Sequence, residues 1–322
     1  MTSSLLRLMN PVFVAKKVKE HGIFHLLRTA TKNRGQKWIY VAGRKAETEW
    51  YRFRNSSIIE QRRKVAEAAA KSEWSSFISK RDGFRLCQAS DIPGLKEVQD
   101  YCWRVYLQRK DEAAAANQTY TSLLSPTVDS LTSGIIADLT SHRILQAFAT
   151  SPPMTNIVAD YLGEIPLIKD ITLSVTHPND TVEGSQRFHC DFSTRPHLKF
   201  YLAVGDIDED NGPLTWISRK DSARVAKRTS YQFGRLEDSS ISAVVDETQW
   251  HKLTGGPGTA AFVDTSQCLH FGSRRNKKDR VHFIIFYEPL YTEGAAKVSR
   301  DYVFNQESDP IRRLLIDETA RV

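Results

Sequence analysis

The feature of this chain that most limits its possible folds is a change of hydrophobic period near residue 166. Before that point apolar residues recur at helical intervals, and after it they alternate with polar ones. The stretch beginning near Ser57 and reaching Lys80 is rich in Ala, Glu, Lys and Arg, with apolar residues spaced along one helical face. A second helix is expected to open at Asp91, a residue type that caps free backbone N–H groups, with Pro93 in its first turn. Val98, Tyr101, Cys102 and Val105 form its apolar stripe. Ser151-Pro152-Pro153 reads as the start of a further helix that ends near Gly163.

Beyond residue 166 the pattern is that of strands. Ile171, Leu173 and Val175 alternate with Thr172, Ser174 and Thr176, and Leu198, Phe200, Leu202 and Val204 alternate with His197, Lys199, Tyr201 and Ala203. Such alternation gives each strand one apolar and one polar face. Short strands are also expected at 241–245, 259–264 and 281–287, with Asn211-Gly212 and the glycines of 255–258 as turns, and a closing helix from Asp309. The class implied is α+β, with a helical N-terminal half packed around an all-β half, a barrel or sandwich with a polar interior. The expected divisions are a basic segment at 1–55, a mainly helical part at 56–165, a β core at 166–290 and a C-terminal helix and tail at 291–322.

Charge is distributed unevenly. Residues 1–65 carry 15 Lys/Arg against 4 Asp/Glu, a net of +11, so the remaining residues hold −4 of the overall +7. Residues 4–28 mix apolar and basic side chains in a way that fits an amphipathic helix, for peripheral contact with an anionic membrane or for packing on the protein's own acidic part. Nucleic-acid binding is the weaker expectation. No stretch reaches the roughly 20 apolar residues of a membrane span, and no secretory signal is read at the N-terminus. Cys87, Cys102, Cys190 and Cys268 stand singly, without a CxxC pair, which points to reduced thiols and a cytoplasmic protein.

His189-Cys190-Asp191 is an HxD triplet. On extended backbone, residues two apart face the same side, so the imidazole and the carboxylate can converge on one ion while Cys190 faces away. Two histidines and a carboxylate on one face of an octahedron leave three open positions, the arrangement of non-haem Fe(II) oxygenases. Alone the triplet is weak, since 9 His among 38 acidic residues in 322 positions predicts about one by composition. Its surroundings are more specific. The turn Asp210-Asn211-Gly212-Pro213 with Leu214 follows it; then a glycine-rich turn and an apolar strand lead to His270, with Gly272-Ser273 just after and Arg280 ten residues on.

Over roughly residues 165–290 this ordered set resembles the phytanoyl-CoA dioxygenase-like branch of the 2-oxoglutarate oxygenases. The resemblance implies a double-stranded β-helix (jelly-roll, cupin-like) core and metal ligation by His189, Asp191 and His270. Arg280 would then pair with the distal carboxylate of 2-oxoglutarate, with Arg275 the next choice; a guanidinium offers a planar fork that suits a carboxylate. Lys199, Tyr201 and Thr172, and more weakly Ser174, are expected to line the co-substrate pocket from the polar strand faces. The cofactors implied are Fe(II), 2-oxoglutarate and O2. The implied reaction is oxidative decarboxylation to succinate and CO2 coupled to hydrogen abstraction from a small molecule, lipid or saccharide. In related iron halogenases a small residue replaces the carboxylate, so Asp191 favours hydroxylation or desaturation. Two alternatives stand beside this: a non-catalytic β-helix scaffold, and an oxygenase for a macromolecule such as a protein or lipid-linked glycan. His197 and His251 are read as structural, and Trp216 as core.

Overall fold

A computed structural model describes residues 37–115, 125–127, 130–136, 142–292 and 309–321; the basic stretch at 4–28 lies outside them. The helices before the central β region are α1 (Lys37–Arg54), α2 (Ser56–Ala69), α3 (Leu95–Ala115), α4 (Arg143–Ala149) and α5 (Pro152–Leu162). The strands are β1 (Phe84–Cys87), β2 (Ser125–Thr127), β3 (Ser130–Ile136), β4 (Leu167–Thr176), β5 (Leu198–Ala203), β6 (Thr215–Trp216), β7 (His251–Lys252), β8 (Ala260–Val263), β9 (His270–Phe271) and β10 (Arg280–Glu288). Between and after them come α6 (Arg219–Thr229), α7 (Asp238–Ser242) and α8 (Pro310–Ile316). The class is α+β with antiparallel sheets.

The larger sheet runs β1-β8-β5-β10-β4-β3-β2, and the smaller runs β7-β6-β9. An isolated antiparallel bridge between His189 and His270 adds the HxD segment beside β9. Consecutive segments from β4 onward therefore alternate between the sheets: β4 in the larger, the HxD bridge in the smaller, β5 in the larger, β6 and β7 in the smaller, and so on to β10.

Period-two alternation decides what each face meets. Leu173, Val175, Phe200, Leu202, Phe262, Phe283 and Ile285 point out of the larger sheet and pack on Leu95, Val98 and Cys102 of α3 and Met154, Ile157 and Val158 of α5. Full burial of such a side chain contributes roughly 1.5–3 kcal/mol, so this layer is a main source of stability. Between the sheets, Tyr201, Ala261 and Val263 meet Leu214, Trp216, Leu253 and Cys268. Behind the smaller sheet, Phe188, Ile217, Leu269 and Phe271 are covered by Val225 of α6, Ile241 of α7 and Val245. Trp216 is fully buried, as its core reading expected.

Helix α5 begins on the two prolines and ends on Gly163 at φ 74°, a conformation that suits glycine at a helix C-terminus. Asp309 caps α8, accepting from the N–H groups of Ile311 and Arg312. Three local expectations are corrected. Residues 241–245 form no strand: Ile241 lies within the single turn of α7, which ends at Ser242, and Val244 and Val245 both donate back to the Ile241 carbonyl. Spacings of three and four put these three side chains on one helical face, and the smaller sheet's apolar back captures them. The helix from Ser57 stops at Ala69 and does not reach Lys80. At Asp91 a short 3-10 turn closes instead, its carboxylate accepting from the Gln88 N–H, and α3 starts at Leu95 after Gly94 at φ 82°. The part before residue 166 is also not wholly helical, because β1, β2 and β3 supply outer strands of the larger sheet.

Candidate metal centre

The candidate triad of His189, Asp191 and His270 is assembled by backbone pairing. The His189 N–H donates to the His270 carbonyl at 3.0 Å and the His270 N–H donates back at 2.9 Å, so the two rings stand side by side with centroids 4.3 Å apart. The Asp191 N–H donates to the Thr265 carbonyl at 2.8 Å, which turns its side chain to the same side. His189 Nε2 lies 3.7 Å and His270 Nε2 3.9 Å from Asp191 Oδ1. One ligand atom from each residue lies within 4.8 Å of the others.

Each imidazole is oriented from behind. His189 Nδ1 donates to the Arg187 carbonyl at 2.9 Å and His270 Nδ1 to the Cys268 carbonyl at 3.0 Å. Both contacts hold the proton on Nδ1 and leave the Nε2 lone pair for a metal. Burial lowers the pKa of His189 and, aided by His189, brings that of His270 down to about 3. Both rings are therefore neutral, the form that ligates. Burial pushes the Asp191 carboxyl up, but the Lys199 ammonium and His197 outweigh it and hold the group well below the usual carboxylate range. Two neutral imidazoles and one carboxylate form a donor set that suits Fe(II) or Mn(II) with open positions. Cys190 packs away from the site against the cluster behind the smaller sheet, and its N–H donates to Tyr231 Oη at 2.9 Å.

The polar face of the larger sheet looks into the same space. Thr176 is opposite Arg280, Ser174 opposite His282 and Thr172 opposite Ile284 across β4 and β10. On the other side of β10, Ile284 meets Tyr201 and Phe286 meets Lys199. Thr172, Lys199 and Tyr201 thus share the inner face with Arg280. Lys199 Nζ, however, donates to Asp191 Oδ2 at 2.8 Å, which ties it to the carboxylate of the candidate triad.

Arg280 is buried. Its Nη1 donates to the Gly212 carbonyl at 2.7 Å, and its Nη2 donates to Thr176 Oγ1 at 3.2 Å and to Ser273 Oγ. Among the described residues no carboxylate pairs with it, and burial lowers its pKa to about 10. A buried guanidinium held only by neutral acceptors is arranged for an incoming anion. Gly212 at φ 61° delivers its carbonyl to this arginine from the turn after Asn211. Arg275, by contrast, is exposed and outside the site.

Several residues here were given no role at the site from the sequence. His197, read as structural, stands 3.7 Å from Asp191 Oδ2 and bonds to Thr265 Oγ1 at 2.8 Å. Thr176 continues the alternation of Thr172 and Ser174, and His282 lies two residues after Arg280, so the strand period already put both on the inner face. Ser273 came with the Gly-Ser pair but without a role. The segment after Asp191 is anchored by α1, because Thr48 Oγ1 and Thr194 Oγ1 are 2.7 Å apart and both bond the Thr292 carbonyl. Tyr40 of α1 meets Phe192 and Phe233 with ring centroids 5.0 and 5.4 Å away, an aromatic cluster directly after Asp191.

No family model matches this chain, and no curated protein matches it. Among solved structures it is similar to the epimerase SnoN in complex with Fe3+, alpha ketoglutarate and nogalamycin RO, at 14% identity over 70% of this chain and 84% of that one, with a TM-score of 0.39. It is also similar to HygX from Streptomyces hygroscopicus with nickel, 2-oxoglutarate and hygromycin B bound, at 14% identity over 72% of this chain and 100% of that one, with a TM-score of 0.43. EctD from S. alaskensis with 2-oxoglutarate and 5-hydroxyectoine gives 14% identity over 67% and 77% of the two chains and a TM-score of 0.43. At such identity and overlap, what this chain binds rests on its own residues.

Proposed function

We propose that this protein is an Fe(II)- and 2-oxoglutarate-dependent oxygenase of the phytanoyl-CoA dioxygenase-like type, built on a double-stranded β-helix. The fold reading is supported by the alternation of consecutive segments between two antiparallel sheets. The observation that carries the function is the convergence of His189 Nε2, His270 Nε2 and Asp191 Oδ1 on the face where buried Arg280 has no carboxylate partner among the described residues. In this reading the three residues hold iron and Arg280 holds the distal carboxylate of 2-oxoglutarate, with Thr176 and Ser273 steadying its guanidinium. When bound, the iron, the oxoacid and O2 together oxidise a substrate C–H bond, with succinate and CO2 as co-products. The protein's own part is to keep both imidazoles neutral, keep Asp191 ionised and exclude bulk water behind the apolar wall between the sheets. The intact carboxylate at 191 favours hydroxylation of a small molecule, lipid or saccharide.

Thermal unfolding with Fe(II) or Mn(II), with and without 2-oxoglutarate, tests this reading directly. The metal should raise the melting temperature and 2-oxoglutarate should raise it further only with metal present. Anaerobic Fe(II) with 2-oxoglutarate should also show a weak visible charge-transfer band. Absence of both effects removes the assignment. Asp191→Ala should abolish succinate formation with the fold intact.

A membrane-borne substrate is a second reading, favoured by Trp50 and Phe53, which are 51% and 75% exposed on α1, within the basic segment of the sequence. No helix among the described residues is long and apolar enough to cross a membrane, so such contact would be peripheral. Deleting residues 1–36 should then reduce sedimentation with anionic vesicles, and unaltered partitioning would exclude the docking role.

A further inference from the structure

We propose that Lys199 is a positioning residue that restricts Asp191 to one metal-facing oxygen, so that the carboxylate fills a single coordination position. The proposal rests on the metal-site reading above. The two oxygens of Asp191 face different partners. Oδ1 faces His189 Nε2 at 3.7 Å and His270 Nε2 at 3.9 Å. Oδ2 accepts from Lys199 Nζ at 2.8 Å and has His197 Nε2 3.7 Å away. The lysine is flanked on both sides by its neighbours in the larger sheet. It lies on β5 between Val263 of β8 and Phe286 of β10, and Nζ sits 5.0 Å from the Phe286 ring centroid, where a cation is favoured.

The consequence concerns the number of open positions. Two imidazoles and a monodentate carboxylate leave three of about six sites, enough for a bidentate oxoacid and O2. A carboxylate free to chelate through both oxygens would take one of the three, leaving no site for O2 beside the oxoacid. The ammonium has a second, opposite effect, because a positive charge next to the ligand opposes binding of a dication. Removing Lys199 should therefore preserve or tighten metal binding while closing one open site. A merely structural lysine would weaken binding and leave coordination unchanged.

Mn(II) alone, added to the full chain without co-substrate, tests this through binding affinity and water-proton relaxation, which reports exchangeable waters on the ion. Lys199→Met should bind Mn(II) at least as tightly as the parent, with relaxivity per bound ion lower by about a third, as open sites fall from three to two. Lys199→Arg, which keeps charge and donor, should retain the parent relaxivity. If Lys199→Met does not fold, Lys199→Ala is measured with and without ethylammonium, which should restore the parent value. Binding with unchanged relaxivity in Lys199→Met, or no recovery in the ethylammonium experiment, overturns the role of Lys199 alone. No Mn(II) binding by the parent overturns the metal reading and this proposal with it.

Discussion

His189 and His270 are direct backbone partners, each N–H donating to the other's carbonyl at 3.0 and 2.9 Å. Residues 81 positions apart in sequence thereby present their rings as a cross-strand pair, and the candidate metal centre inherits the rigidity of the smaller sheet. That pairing does not depend on either side chain.

Replacing one ring should therefore affect binding more than folding. His270→Ala is expected to lower Mn(II) affinity by more than the ~10–100-fold typical of outer-layer partners. Far-ultraviolet circular dichroism should remain close to the parent's. Cys190→Ala, at the residue between His189 and Asp191 but packed away from them, should leave affinity unchanged. Titration of both variants with Mn(II) distinguishes a real ligand set from a sequence coincidence.

Arg280→Gln removes the buried cation that lacks a carboxylate partner among the described residues. Loss of charge-assisted hydrogen bonds of this kind costs about 3 kcal/mol, or roughly 100-fold in the affinity for 2-oxoglutarate. Metal binding should be preserved, because Arg280 bonds to Gly212, Thr176 and Ser273 and not to the ligands. Calorimetric titration of the metal-loaded protein with 2-oxoglutarate gives the number, and equal affinity would leave Arg280 without its role.

Gly272 offers a subtler perturbation of the same group. A Cβ added there would lie 2.7 Å from Arg280 Nη1, so Gly272→Ala must push the guanidinium aside. We expect weaker 2-oxoglutarate binding, on the order of tenfold, and a small change in melting temperature, since a flexible head group can yield where backbone could not. Parent-like co-substrate affinity would show that the position of this guanidinium is unimportant.

His282 predicts a pH effect. Burial, reinforced by Arg280, holds its pKa well below 6.5, and its Nε2 has no hydrogen-bond partner among the described residues. In the unfolded chain the ring protonates near its ordinary value of ~6.5. Below that pH the unfolded state takes up a proton that the folded state does not, so this group makes stability fall as pH falls. The slope is about 1.4 kcal/mol per pH unit. Acidification from about pH 6.5 to 5 should therefore cost the parent about 2 kcal/mol more than His282→Gln. Urea unfolding of the metal-free proteins at the two pH values measures the difference, and equal losses would show that His282 is protonated in the native state.

The strand faces, and the kinds of residue on them, were legible in the residue order alone. Period-two alternation put Thr172, Ser174 and Thr176 on one side of β4 and Lys199 with Tyr201 on one side of β5, because successive side chains on extended backbone must point to opposite faces. The same rule sent Cys190 away from its neighbours His189 and Asp191. Short apolar runs escaped it. The residues 241–245 satisfy strand and helix periods alike over so few positions, and the apolar back of the smaller sheet selected the helix. Register and sheet stacking decided what lay beyond local pattern. They buried Arg280 while Arg275 stayed exposed, brought His197 behind Asp191, and directed the Lys199 ammonium onto Asp191 Oδ2. These are contacts between segments brought together only by folding, and local alternation says which face a side chain occupies but not which residue meets it there.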